Sequence, residues 1–309
     1  MPLSPELYSP DARTRLLVVA PHPDDETIGT GELLQLVRAA GGQVHVLLLT
    51  DGDDNPWPQR WIERRLRIGD AERARWGRRR RGEVGDALRR LDVPFDALHA
   101  MGWPDMGLTA LVREDASMAR ARLVEQLVDF RPNVVALPAL SDRHPDHGSA
   151  HVLTRLALAD WDAEPPLLLG YLVHGREETQ PGVALPAAAD RHAAKLAALT
   201  AHHSQMALSA GRMRRLTDRP ERYDRVARPP ADREAGALPW HPMAWRSQLR
   251  LTIASPDGVR HWAWTDAPLQ RDGQGRWRLA EVPTAPCFAR LDMDVSSPWI
   301  FDRWGWCEL

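Results

Sequence analysis

Leu16-Leu17-Val18-Val19-Ala20 followed by Pro21-His22-Pro23-Asp24-Asp25-Glu26 is the stretch on which the fold turns. Five apolar residues bounded by turn-forming ones predict a strand buried on both faces, as in a parallel sheet. In open α/β sheets, ligands collect beyond the carboxyl ends of such strands. An imidazole and two adjacent carboxylates are therefore expected where the sheet does its chemistry. The prolines stiffen the turn, because a residue that precedes proline is pushed out of the helical region. Adjacent buried carboxylates repel each other, and a divalent cation shared with His22 removes that cost. A plain helix N-cap would need only one Asp.

Downstream, residues 30–40 place Leu33, Leu34, Leu36 and Val37 at helical spacing, and Gly41-Gly42 ends that helix. Residues 43–50 form a second apolar run that ends in Asp51-Gly52-Asp53-Asp54-Asn55-Pro56. Strand, helix, strand is the βαβ unit. Gly29-Thr30-Gly31 lacks the third glycine of a dinucleotide fingerprint, and the carboxylates before it would repel a pyrophosphate. A further strand is predicted over 93–101, with Gly102-Trp103-Pro104-Asp105 after it, and another over 133–140. The latter leads into Ser141-Asp142-Arg143-His144-Pro145-Asp146-His147 and a helix near 148–159. This plan repeats that of the opening stretch: apolar strand, His-Pro-Asp turn, helix. Two such turns at the ends of parallel strands can converge on one point.

The remaining chain changes in character. A strand is expected over 167–173 and a helix over 190–203. Residues 212–234, rich in Arg, Asp and Pro, read as an exposed connector. From Trp240 onward, short alternating runs with turns at Asp257-Gly258 and Gly273-Gln274-Gly275 predict an antiparallel β element. It holds eight of the chain's 13 Trp, for which packing of a small sheet is a better reading than stacking on a sugar.

Composition excludes several classes of partner. The 309 residues are 43% hydrophobic, enough for a sizeable core, and the net charge of −2 exerts no global pull toward nucleic acid. The Arg-rich stretch 60–90 is interleaved with acids and reads as solvated helix faces. Cys287 and Cys307 make neither a zinc motif nor a disulfide framework. Residues 1–15 lack a signal-peptide core, and no run approaches the roughly 20 apolar residues of a membrane span. A cytoplasmic protein without a membrane span is expected.

The side chains at the two turns suggest a reaction. His22, Asp25 and His147 offer two imidazoles and a carboxylate, a set suited to catalytic Zn2+ with one position open, or to another divalent cation such as Fe2+. Asp24, beside a ligand, is placed to take a proton from water. His144 would stabilise an oxyanion or protonate a leaving amine, with Asp146 holding its imidazole. The parts amount to hydrolysis at a carbonyl carbon. His151, His174, His202 and His203 are read as structural.

Pro21–Glu26 and His144–His147 resemble the two signatures of the PIG-L/LmbE-like family of metal-dependent N-acetylglucosaminyl deacetylases, (A/P)-H-P-D-D-E and H-P-D-H. Softer likenesses are Arg80-Arg81-Gly82-Glu83, Gly102–Asp105, and Lys195–Leu199 with His202-His203-Ser204-Gln205. The resemblance covers about residues 15–206. It implies a Rossmann-like fold, the roles given above for the two turns, and contacts from Arg80 and Asp105 to sugar hydroxyls. Asp142 and Arg143 stand in the region where some members carry a tyrosine.

The expectation is thus an α/β protein: a Rossmann-like, mostly parallel sheet with helices on both faces, and a small C-terminal antiparallel β element. Residues 1–235 are expected to form the deacetylase domain and 236–309 a Trp-rich extension, which would shape substrate choice or make a homo-oligomer contact. The expected activity is zinc-dependent removal of an N-acetyl group from an amino sugar in a small molecule or glycoconjugate. The alternatives are an amidase acting on a thiol conjugate and a non-catalytic carbohydrate-binding protein.

Overall fold

The computed structural model describes residues 6–175, 182–227, 236–242, 248–293 and 300–309. The chain divides into two compact units, one built from residues 1–107, 130–138 and 164–226, the other from 108–129, 139–163 and 227–309.

The first unit is organised on an eight-stranded sheet. In chain order its elements are β1 (Glu6–Leu7), β2 (Arg15–Ala20), α1 (Asp25–Ala39), β3 (Gln43–Thr50), α2 (Pro56–Glu63), α3 (Asp70–Arg90), β4 (Leu98–Trp103), β5 (Val134–Pro138), β6 (Leu167–Tyr171), β7 (Val183–Ala184), α6 (Ala189–Leu199), α7 (His203–Thr217) and β8 (Arg222–Arg225). The spatial order is β1-β7-β8-β6-β5-β2-β3-β4. All pairings are parallel except those of β8 with β6 and β7. Leu16, Val18 and Ala20 of β2 and Val46 and Leu48 of β3 are fully buried, as the continuous apolar runs predict. Each buried Leu or Val among them contributes about 1.5–3 kcal/mol by leaving water.

Helix α1 begins at Asp25, earlier than the apolar pattern alone suggests, because Asp25 and Glu26 in its first turn suit the positive end of the helix dipole. It closes at Gly41, whose φ of 79° lets the Gly41 and Gly42 amides bond the Arg38 and Val37 carbonyls. The two glycines of the Gly29-Thr30-Gly31 run serve packing. A Cβ on Gly29 would run into the Tyr171 ring, and one on Gly31 would sit 2.9 Å from Lys195 Cγ.

The connector expected over 212–234 is corrected in its described part. Helix α7 continues to Thr217, and β8 adds a strand to the sheet. Tyr223 is almost wholly buried, donates its hydroxyl to Glu221, and belongs to the main core. Glu221 also pairs with the buried Lys195 ammonium at 2.8 Å. Charged composition hid this segment because its few inward-facing residues are set among exposed arginines. Residues 228–234 lie outside the described residues.

The second unit contains α4 (Leu108–Phe130), α5 (Pro145–Asp160) and six strands: β9 (Leu249–Ser255), β10 (Gly258–Ala263), β11 (Leu269–Arg271), β12 (Trp277–Leu279), β13 (Phe288–Met293) and β14 (Gly305–Glu308). Strands β10-β9-β13-β14 form an antiparallel sheet, and β11-β12 a separate hairpin. The turns fall at Asp257-Gly258 and at 272–276, where the Asp272 carboxylate accepts the Gln274 and Arg276 amides. Trp240, Trp264 and Trp306 are buried, and Trp264 meets Trp277 edge to face at 5.9 Å. These indoles pack the small sheet, as expected. Arg155–Glu308 (2.7 Å), Arg113–Asp292 (2.7 Å) and a Trp306-to-Ser149 hydrogen bond (3.0 Å) tie the sheet to the two helices.

Candidate active site

In the first unit, β2 delivers the chain to Pro21–Asp24, and α1 begins immediately after it. The His22 amide donates to Asp25 Oδ2 at 2.9 Å, and His22 Nδ1 lies 3.2 Å from that same oxygen. His22 Nε2 is 3.4 Å from Asp105 Oδ1, at the end of the β4 loop. Asp105 in turn accepts the Asp54 amide at 2.8 Å, so the loops after β3 and β4 are joined beside His22. Burial works against the Asp105 charge, but the His22 hydrogen bond, the charges of His22 and Arg80 and the Met106 amide hold its carboxyl below the usual range.

Asp24 is the N-cap of α1 at φ 122°, a conformation L-residues rarely adopt, and its side chain makes no capping bond. Its amide donates to Glu26 Oε2 at 3.0 Å. Gln205 Nε2 donates to Asp24 Oδ2 at 3.0 Å, and Arg80 Nη2 stands 3.6 Å from that oxygen. Burial, then the neighbouring Asp25 charge, push the Asp24 carboxyl up to about 6, against the pull of Arg80 and His202. That value suits a group that takes and releases protons near neutral pH. Arg80 is itself buried and donates to the carbonyls of Pro23, at 2.8 Å, and of Gly52. Its guanidinium thus braces the His22 turn against the β3 loop.

In the second unit, His144 is the N-cap of α5, and its Nδ1 accepts the Asp146 amide at 3.3 Å. Pro145 occupies the first helical position, where a missing N–H costs nothing. The Asp146 carboxylate is fully buried and accepts the Leu108 amide at 3.1 Å, capping the start of α4. His147 is fully buried with Nδ1 3.1 Å from Asp142 Oδ2, and the His144 and His147 ring centroids are 5.0 Å apart. Asp142 also accepts the His144 amide at 2.9 Å. A carboxylate on Nδ1 favours the tautomer whose Nε2 carries a lone pair, the form that binds metal.

Among the described residues, candidate metal ligands are His22, Asp25, Asp105 and His174 in the first unit, and His144, Asp146 and His147 in the second. Two or more imidazoles with carboxylates are a donor set that fits Zn2+ or a similar divalent ion, and the His22–Asp25 pair already holds two such donors within one buried turn.

Sequence reasoning passes over three residues. Asp142 stands out in the chain only as a departure from the family pattern. His174 lies three residues past the end of β6, and the sequence offers it a structural reading. Gln205 belongs to a soft motif with no role attached. An acid just before the His-Pro-Asp turn is the available signal for Asp142. Nothing local marks Gln205.

The first unit is thus an α/β domain whose strand-end loops carry histidines and carboxylates. Residues 17–158 match the family described as PIG-L, GlcNAc-PI de-N-acetylase. A 1D-myo-inositol 2-acetamido-2-deoxy-alpha-D-glucopyranoside deacetylase of Mycolicibacterium vanbaalenii is 33% identical over 162 residues, which are 47% of this chain and 54% of the relative. The enzyme of that name from Rhodococcus opacus is 34% identical over 158 residues, 47% and 53% of the two chains. The chain spans about half the length of these curated relatives. The crystal structure of a conserved protein, TT1542, from Thermus thermophilus aligns with a TM-score of 0.52 and 28% identity, over 72% of this chain and all of that one. Among the described residues no helix is long and apolar enough to cross a membrane.

Proposed function

We propose that this protein is a metal-dependent N-deacetylase that removes the acetyl group of a GlcNAc-type amino sugar, released as acetate and a free amine. His22, Asp25 and His147 are assigned as the protein ligands of one divalent cation, Zn2+ or another such as Fe2+. The topology supports this assignment: β2 and β5 are neighbouring parallel strands, so their carboxyl ends share one edge of the sheet. The ion, when bound, would polarise the amide carbonyl and make water a better nucleophile.

The remaining chemistry belongs to side chains. Asp24 takes the proton from the attacking water as its oxygen bonds to the carbonyl carbon. His144, whose Nδ1 accepts the Asp146 amide, donates a hydrogen bond from Nε2 to the oxyanion, and the protonated Asp24 returns its proton to nitrogen as the C–N bond breaks. Asp146 holds the loop that aims His144. Arg80 and Asp105 are assigned to the sugar side of the site, where Arg80 also supports the turn through Pro23. The 236–309 extension is assigned to substrate choice or to a homo-oligomer contact.

The observation that carries this reading is the buried Asp24 carboxylate. It lies between two candidate ligands in sequence and is tuned to about 6 by its surroundings, and a pure binding protein has no need of it. The test is metal analysis of the purified protein with acetate release from N-acetylglucosamine and 1-O-substituted GlcNAc derivatives, alongside amides of thiol conjugates. Turnover of the thiol conjugates alone would move the assignment to an amidase. Bound metal with no turnover by any substrate, and no loss of ligand binding in Asp24→Asn, would leave a binding protein.

A further inference from the structure

Residues 202–205, between α6 and the first turn of α7, reach back to the Pro21–Glu26 turn through nearly 180 positions of chain. His202 Nε2 lies 3.1 Å from Glu26 Oε1 and 3.2 Å from Thr27 Oγ1. The Ser204 amide and hydroxyl both donate to the Glu83 carboxylate, at 3.1 and 2.6 Å, which fixes the start of α7. Gln205 then places its amide nitrogen 3.0 Å from Asp24 Oδ2.

Asp24 needs such support. Its positive φ carries the side chain away from the α1 amides that an N-cap Asp ordinarily bonds, so the local chain does not choose its rotamer. Among the described residues the contacts to its carboxylate come from Gln205 and Arg80, and both fall on Oδ2. Oδ1 is therefore the oxygen presented for proton transfer.

We propose that Gln205 is a positioning residue for the base: its amide N–H locks the Asp24 carboxylate through Oδ2 and so directs Oδ1 to the attacking water. This inference rests on the assignment of Asp24 as the base. A group within hydrogen-bond reach of its proton donor loses rate steeply when its orientation is released, even where substrate binding is untouched.

The test compares the wild type with Gln205→Met, which keeps length and removes the donor, and with Asp24→Asn. Zn2+ affinity is measured by chelator competition, kinetics by acetate release from the best GlcNAc derivative, and the Asp24 rotamer by a crystal structure of Gln205→Met. The expected result is a kcat about tenfold lower, with KM and Zn2+ affinity within about twofold of wild type and the Asp24 carboxylate rotated. Zn2+ affinity serves as the internal control, because His22 and Asp25 flank Asp24 and a collapsed turn would weaken metal binding as well. Unchanged kcat, a rise in KM at constant kcat, or a parallel loss of Zn2+ affinity would each overturn the proposal. Full activity in Asp24→Asn would instead remove the base assignment beneath it, so the two failures are told apart.

Discussion

The two His-Pro-Asp turns share a sequence plan and differ in how they are held. At 21–26 the residue after the second proline is an N-cap in a strained conformation, and side chains from α3 and α7 secure it. At 144–147 the proline is already helical, and the turn is held by bonds of its own helix start, with Asp146 spent on the Leu108 amide. The first turn is costly locally and supported from a distance. The second follows ordinary capping rules. Strain of this kind gathers at sites of chemistry, which agrees with the role proposed for Asp24 as the base.

Exchanging the equivalent Asp residues tests that difference most strongly. Asp24→Asn is expected to lower kcat by about 10²–10⁴-fold with little loss of stability, as measured by acetate release and thermal unfolding. Asp146→Ala is expected to act mainly on stability, by about 1 kcal/mol, through the lost cap on α4. If Asp146→Ala costs as much rate as Asp24→Asn with no change in melting temperature, the comparison fails.

Next in size, Asp142→Asn should weaken metal affinity by about 10–100-fold, because the carboxylate that fixes the His147 tautomer is lost. Chelator competition reads this directly, and unchanged affinity would separate His147 from the metal.

Smaller effects are expected where each helix opens beneath an aromatic ring. Gly29 of α1 faces Tyr171, and Gly148 of α5 faces Trp306, whose Cδ1 would be 2.9 Å from an added Cβ. Gly29→Ala is expected to destabilise by about 1–3 kcal/mol, and Gly148→Ala by less, since the approach at Gly29 is closer. Urea unfolding of both variants checks the order.

The smallest effect is a pH dependence of the first turn. His202 is fully buried, which opposes its charge, yet Glu26 and then Asp24 hold its pKa above 6.5. A group whose folded pKa is raised contributes stability in full below the unfolded value and loses it as pH rises through the folded one. Wild-type melting temperature should therefore fall as pH climbs above about 6.5, and His202→Gln should flatten that slope. A wild-type profile as flat as that of the variant would remove His202 from the support of Asp24.

Much of this arrangement is legible in the chain itself. The runs 16–20, 44–49 and 134–138 are buried throughout and, His45 apart, apolar, the pattern of strands in a covered parallel sheet. Both turns announce their histidines and carboxylates, and the alternating tail announces its antiparallel sheet. The stretch 212–225 is not legible, because Met213, Thr217, Glu221 and Tyr223 are buried singly among exposed charges and no periodic stripe survives.

Local sequence determined which elements form and which reactive side chains stand at strand ends, since period and turn chemistry act over a few residues. Tertiary structure alone decided which of those side chains are braced, and by what. Asp24 is gripped by Gln205 and approached by Arg80, and Lys195 finds Glu221, across separations no short-range pattern encodes. A hydrogen bond is chosen by distance in space, and only packing the sheet and its helices brings those partners within about 3 to 4 Å.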